Sequence, residues 1–106
     1  MIVKTLLDLT GQTAVATGST FDLEMPKGNR GIVQVKGTNY TMTALTVTIE
    51  GRLSPSMDFV AISNGAISQN GEGSTAVEDI QLYPEMRARI STFTGTTADV
   101  VVQLGC

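Results

Sequence analysis

The feature that most limits how this chain can fold is alternation. In the segment Met42 to Leu53, the residues Leu45, Val47 and Ile49 alternate with Thr46, Thr48 and Glu50. Extended backbone turns such a pattern into one dry face and one wet face. The same period recurs elsewhere. Val33 and Val35 point inward within Ile32 to Lys36, and Met86, Ala88 and Ile90 oppose Arg87, Arg89 and Ser91 within Met86 to Phe93. Ala98, Val100, Val102 and Leu104 form a closing inward row. Shorter strands are expected over Ile2 to Leu7, Gln12 to Ala16, Thr20 to Met25, Asp58 to Ile62 and Val77 to Tyr83. In the first of these, strict alternation puts Val3, Thr5 and Leu7 on one side and Ile2, Lys4 and Leu6 on the other. No segment keeps i, i+3, i+4 apolar spacing over a helical length.

Turn signals fall roughly every ten residues, as in sandwiches and barrels. They include Thr10-Gly11, Gly18-Ser19, Pro26-Lys27-Gly28-Asn29, Gly37-Thr38-Asn39 and Ser54-Pro55-Ser56. Asn64-Gly65 reads as a hairpin dipeptide, and Thr94-Gly95-Thr96-Thr97 as the last hairpin. Gln69 to Ser74 has no apolar residue and is expected to form a flexible loop. Eight to ten short strands within 106 residues predict one all-β domain over residues 1–106. Its architecture would be a two-sheet antiparallel β-sandwich, either jelly-roll-like or immunoglobulin-like. With three phenylalanines, two tyrosines and no tryptophan, the core must come from Val, Ile, Leu and Met, with Phe21 and Phe59 committed to it.

Composition removes whole classes of function. Charged residues are 16% of the chain, against about 25% in ordinary globular proteins. Few charges among many branched residues exclude a disordered tail. Net charge is −3, and the seven basic residues Lys4, Lys27, Arg30, Lys36, Arg52, Arg87 and Arg89 are scattered, so no nucleic-acid partner is expected. No run of about 18 apolar residues offers a membrane span. The stretch Met1 to Asp8 lacks the apolar region of a signal peptide, so synthesis is expected in the cytosol. Histidine is absent, which removes the usual general base and the commonest transition-metal ligand. A Ser-His-Asp triad and Cys/His zinc sites are thereby excluded. The acidic residues Glu72, Glu78, Asp79 and Glu85 lack the loop spacing of a calcium site. The reading is of a protein that is not an enzyme and carries no cofactor or metal. Cys106 is the single cysteine and has no internal disulfide partner. Asn39-Tyr40-Thr41 matches a glycosylation acceptor that has no consequence without secretion.

Two segments carry a resemblance. Val47 to Ile62, with Glu50-Gly51-Arg52-Leu53 ahead of a turn and Phe59, is similar to the "strand, E-G-S-L-D-G, aromatic, short strand" run of small bacteriophage virion β-sandwich proteins. Ile80 to Val100, with Tyr83-Pro84-Glu85-Met86-Arg87-Ala88-Arg89-Ile90, resembles the companion "Y-P-x-[ILM]-R-[AV]-R-[IV]" hairpin. The chain departs from the pattern in having Ser54-Pro55-Ser56-Met57 at the turn and Phe59 in place of a tryptophan or tyrosine. The resemblance implies a virion structural protein, and in particular a capsid decoration (cement) protein on the outer surface of the head. It implies the major capsid protein as partner and a homo-oligomer, a trimer at a three-fold site. Head–tail, tail or fibre accessory proteins share the pattern. A carbohydrate-binding module is the alternative from another class, and it would need exposed aromatic platforms.

The candidate contact residues are Ile2, Val3, Lys4, Leu6, Arg87 and Arg89. In a strand, Arg87 and Arg89 lie on one face about 7 Å apart, free to bind carboxylates of a neighbour or paired with Glu50 or Asp99 across their own sheet. Met1 to Leu9, apolar on both faces, serves either as a contact with a neighbour, by strand addition or as a plug, or as an ordinary buried strand.

Overall fold

The computed structural model describes residues 3–12, 16–18, 20–22, 30–38, 44–95 and 98–106. Ile2, Leu23, Met25, the Pro26–Asn29 turn, the Asn39-Tyr40-Thr41 sequence, Thr96 and Thr97 lie outside them. The strands are β1 (Val3–Gln12), β2 (Ala16–Thr17), β3 (Phe21–Asp22), β4 (Arg30–Thr38), β5 (Ala44–Arg52), β6 (Val60–Ser68), β7 (Gly73–Gln81), β8 (Glu85–Thr94) and β9 (Ala98–Gly105).

They form two antiparallel sheets. One has the order β1-β9-β4-β7; the other runs β2-β8-β5-β6, with β3 also on β8. If β2 and β3 are taken as one interrupted edge strand, this is the interleaved order of an eight-stranded jelly roll. The jelly roll is thus the member of the expected pair that the chain adopts. The inward rows read from alternation are buried: Val33 and Val35, Leu45, Val47 and Ile49, Met86, Ala88 and Ile90, and all four of Ala98, Val100, Val102 and Leu104.

The topology revises one turn. Thr94 to Thr97 is not a hairpin, because β8 is flanked by β5 and by β2 and β3, while β9 is flanked by β1 and β4. Both sides of each strand are taken by other partners, so the connection crosses from one sheet to the other. Among the long strands, only β5 and β6 are neighbours both in sequence and in a sheet. Pro55 is the second residue of a turn within their connection, which Met57 N–H closes on the carbonyl of Ser54 at 3.0 Å, in keeping with the tight turn expected there.

Bulges account for the other departures. On β1 the pairing with β9 slips between Thr5 and Leu7, so Leu6 and Leu7 both enter the core instead of facing opposite ways. Asn64-Gly65 does not reverse the chain. It lies inside β6, where pairing jumps from Thr48↔Ala66 to Glu50↔Ala61, and Asn64 takes φ 64°. A Cβ on Gly65 would stand 2.8 Å from the Ile62 carbonyl oxygen and 3.0 Å from that of Ile49, so the backbone itself closes on β5 there.

The polar stretch after β6 is tied down, contrary to the flexible loop expected. Gln69 N–H donates to the Leu45 carbonyl at 2.9 Å, Leu45 N–H donates to Asn70 Oδ1 at 3.1 Å, and Gln69 Nε2 donates to the Gly71 carbonyl at 2.7 Å. Thr75 Oγ1 completes the set by donating to Gln69 Oε1. These bonds pin the crossover from β6 in one sheet to β7 in the other.

Candidate protein-binding face

The outer face of the five-stranded sheet is a polar ladder built on β5 and β8. Register sets Arg52 opposite Glu85, Glu50 opposite Arg87 and Thr48 opposite Arg89. Arg52 Nε meets Glu85 Oε1 at 2.7 Å. Arg87 Nε meets Glu50 Oε1 at 2.7 Å, and Arg89 Nε meets Oε2 of the same carboxylate at 3.3 Å. One rung further, the hydroxyls of Thr48 and Ser91 are 2.8 Å apart, and Ser91 Oγ donates to the Thr46 carbonyl at 3.2 Å.

Glu50 is only 7% exposed although it points away from the core. Two guanidiniums offset the cost of removing that carboxylate from water. Of the two partners open to the arginines, Glu50 is the one they meet. Asp99 belongs to β9 in the other sheet, opposite Thr38.

Phe59 completes this face. Its ring lies 4.0 Å from the Arg87 guanidinium carbon and 4.3 Å from that of Arg52. The residue expected in the core thus packs outside it, because the strand resumes at Val60 with Ala61 opposite the outward-facing Glu50. Cation–π stacking holds the guanidiniums flat and limits their rotamers. On the inner side of the adjacent rung, where Gly51 stands opposite Met86, the Tyr83 ring occupies the space a Gly51 side chain would need. The segment around Glu50-Gly51 and the segment around Tyr83 to Arg89 therefore meet on adjacent strands. Glu50 binds the arginines on one face and Gly51 seats the tyrosine on the other.

The remaining candidate residues divide. Val3 is 57% exposed and Lys4 is exposed, both on edge strand β1, whereas Leu6 is 1% exposed and belongs to this chain's own core. Leu6 is accordingly withdrawn from any contact surface by the β1 bulge, and Ile2 lies outside the described residues. Because β1 is already paired with β9, Val3 to Leu9 is a strand of its own sheet and not a free arm. Sequence reasoning missed Leu53, Met57 and Val60, which stand exposed at the β5–β6 end. The available signal was the position of Leu53 and Met57 on either side of Pro55 in the β5–β6 connection, with Val60 opening β6.

Among the described residues every aromatic ring is engaged. Phe21, Tyr83 and Phe93 pack on the core, and Phe59 stacks with arginines. Of the acidic residues weighed for calcium, Glu85 is held by Arg52, and the Asp79 carbonyl accepts from Arg30 Nη1 at 3.2 Å. No three His, Cys, Asp or Glu side chains gather as metal ligands among the described residues. Cys106 is half-buried against the core.

Fold and face together define an antiparallel jelly-roll sandwich with an arginine- and glutamate-laddered outer surface. No protein-family model and no curated protein matches the chain. Among solved structures it is similar to the SPBc2 prophage-derived protein YomS, at 13% identity and a TM-score of 0.44, over 99% of this chain and 96% of that one.

Proposed function

We propose that this chain is a structural protein of a bacteriophage virion, and specifically a capsid decoration protein that binds the outer surface of the assembled head. The observation that carries the reading is the meeting of the two resembling segments. Glu50-Gly51 and Tyr83 to Arg89 lie far apart in sequence, yet they form one unit through the Glu50–Arg87 pair at 2.7 Å and the seating of Tyr83 on Gly51.

The edges of the slab favour contact through faces. Bulges interrupt β1, β6 and β7, which blunts strand-by-strand addition. A protein that binds only the assembled shell stabilises that shell by mass action. An oligomer at a symmetry axis, a trimer by the resemblance, would gain avidity by touching several capsomers at once. The partner would be the major capsid protein and the location the virion surface, after synthesis in the host cytoplasm. No catalytic step enters.

The test is retention of the purified protein on heads of the phage that encodes it, with copy number per particle. Hundreds of copies, and a shell that melts at higher temperature when they are bound, support the reading. Copies numbering a handful to dozens, confined to the tail or connector, would move the protein to a head–tail or tail accessory role. Saturable binding to free sugars would replace both with a carbohydrate-binding module.

A further inference from the structure

Three of the seven basic residues, Arg52, Arg87 and Arg89, stand on one face of β5 and β8. Within β5 and β8 their ion pairs are with Glu50 and Glu85. Glu85 takes Arg52, so Arg87 and Arg89 divide a single carboxylate. On β5 and β8 that sets three guanidiniums against two carboxylates, in a chain whose net charge is −3. Asp58, the exposed acid next to Phe59, forms no ion pair with them among the described residues.

Each arginine reaches Glu50 through Nε, while a guanidinium carries five N–H donors in a rigid fork. Arg87 is additionally stacked on Phe59 at 4.0 Å. Its rotamer is thus fixed before any partner arrives, which lowers the ordering cost of binding. Arg89 is the more open of the two, with 39% of its side chain exposed.

We propose that Arg87 and Arg89 jointly receive a carboxylate side chain from an acidic loop of the partner protein, with exposed Leu53 and Met57 at the adjoining β5–β6 end as an apolar margin. The inference rests on the decoration reading and supplies the chemistry of its contact. A fork already anchored on Glu50 is suited to a second, bidentate carboxylate, and charge complementarity of this kind makes the encounter dependent on salt.

Purified, emptied heads of the encoding phage are mixed with the wild-type protein, with Arg89→Gln and with the double variant Arg87→Gln/Arg89→Gln, and retention is measured by co-sedimentation. Arg89→Gln keeps the 2.7 Å Arg87–Glu50 pair, so its thermal midpoint in the free state checks that the fold persists. Wild-type affinity is expected to fall about tenfold or more between low and high salt, and Arg89→Gln to bind about tenfold more weakly at low salt. Undiminished retention of a folded Arg89→Gln, or insensitivity to salt, overturns the acidic contact and leaves decoration standing. Retention that disappears on nuclease treatment overturns it in favour of a phosphate ligand. No retention of the wild-type protein at any salt removes the decoration reading and this contact with it.

Discussion

Gly51 and Tyr83 occupy one another's space: a Cβ on Gly51 would fall 2.6 Å from Tyr83 Cγ and 2.8 Å from its Cβ. The glycine is therefore required by a ring, not by a turn. Gly51→Ala should displace Tyr83 and lower stability by about 1–3 kcal/mol, the usual cost of overpacking. Denaturant unfolding measures it. The companion Tyr83→Ala should relieve the clash, so the double variant should cost less than the sum of the two single changes.

Glu50, itself nearly closed to water, holds two arginines on the outer face. Glu50→Ala leaves Arg87 and Arg89 without their shared carboxylate, and stability should fall by about 1–3 kcal/mol. Glu85→Ala removes a single pair whose side chains are both more exposed than that of Glu50 and should cost less. Thermal midpoints of the two variants test the order; equal losses would mean that the shared carboxylate has no special weight.

The bulge on β1 turns the neighbours Leu6 and Leu7 both into the core, while Val3 stays exposed at the strand's start. Leu6→Ala should cost about 2–5 kcal/mol, as for a buried leucine. Val3→Ser, at an exposed edge position, should stay within about 0.5 kcal/mol. A comparable loss at both positions, read from urea midpoints, would contradict the burial of Leu6 and the exposure of Val3.

Asn64 sits at φ 64° inside β6, a conformation that costs a β-branched residue roughly 1–2 kcal/mol. Asn64→Val should destabilise by about that amount, whereas Asn64→Gly should be neutral or slightly stabilising. If valine is tolerated, β6 runs without its bulge. That protein should then associate more readily, because an uninterrupted edge invites strand pairing, and sedimentation velocity would detect it.

Where β-strands stay regular, period two sufficed to read this molecule. The inward rows of β4, β5, β8 and β9 are each buried as alternation requires, and Arg87 and Arg89 take the outer face opposite Glu50. Reading failed where the backbone gains residues. The slips at Leu6 and at Asn64-Gly65 shift parity, and a local pattern carries no trace of a bulge set by a distant partner strand. The anchoring of Gln69 is illegible for a related reason, since its partners, Leu45 and Thr75, are recruited by folding. The candidate face was half legible: the arginine pair and its Glu50 partner followed from strand geometry. Phe59 stacking outside the core, and Leu53, Met57 and Val60 left bare, depend on how the β5–β6 turn folds back.

The place of β9 has a consequence for biosynthesis. It lies between β1 and β4, pairing Leu104 with both Lys4 and Val33. That sheet therefore has no centre until residues 98–105 have left the ribosome. Contacts of such long sequence separation fold slowly, so the nascent polypeptide must keep β1 and β4 apart and unspent until β9 emerges. The order of manufacture thus holds the sheet open while β5 to β8 are being made.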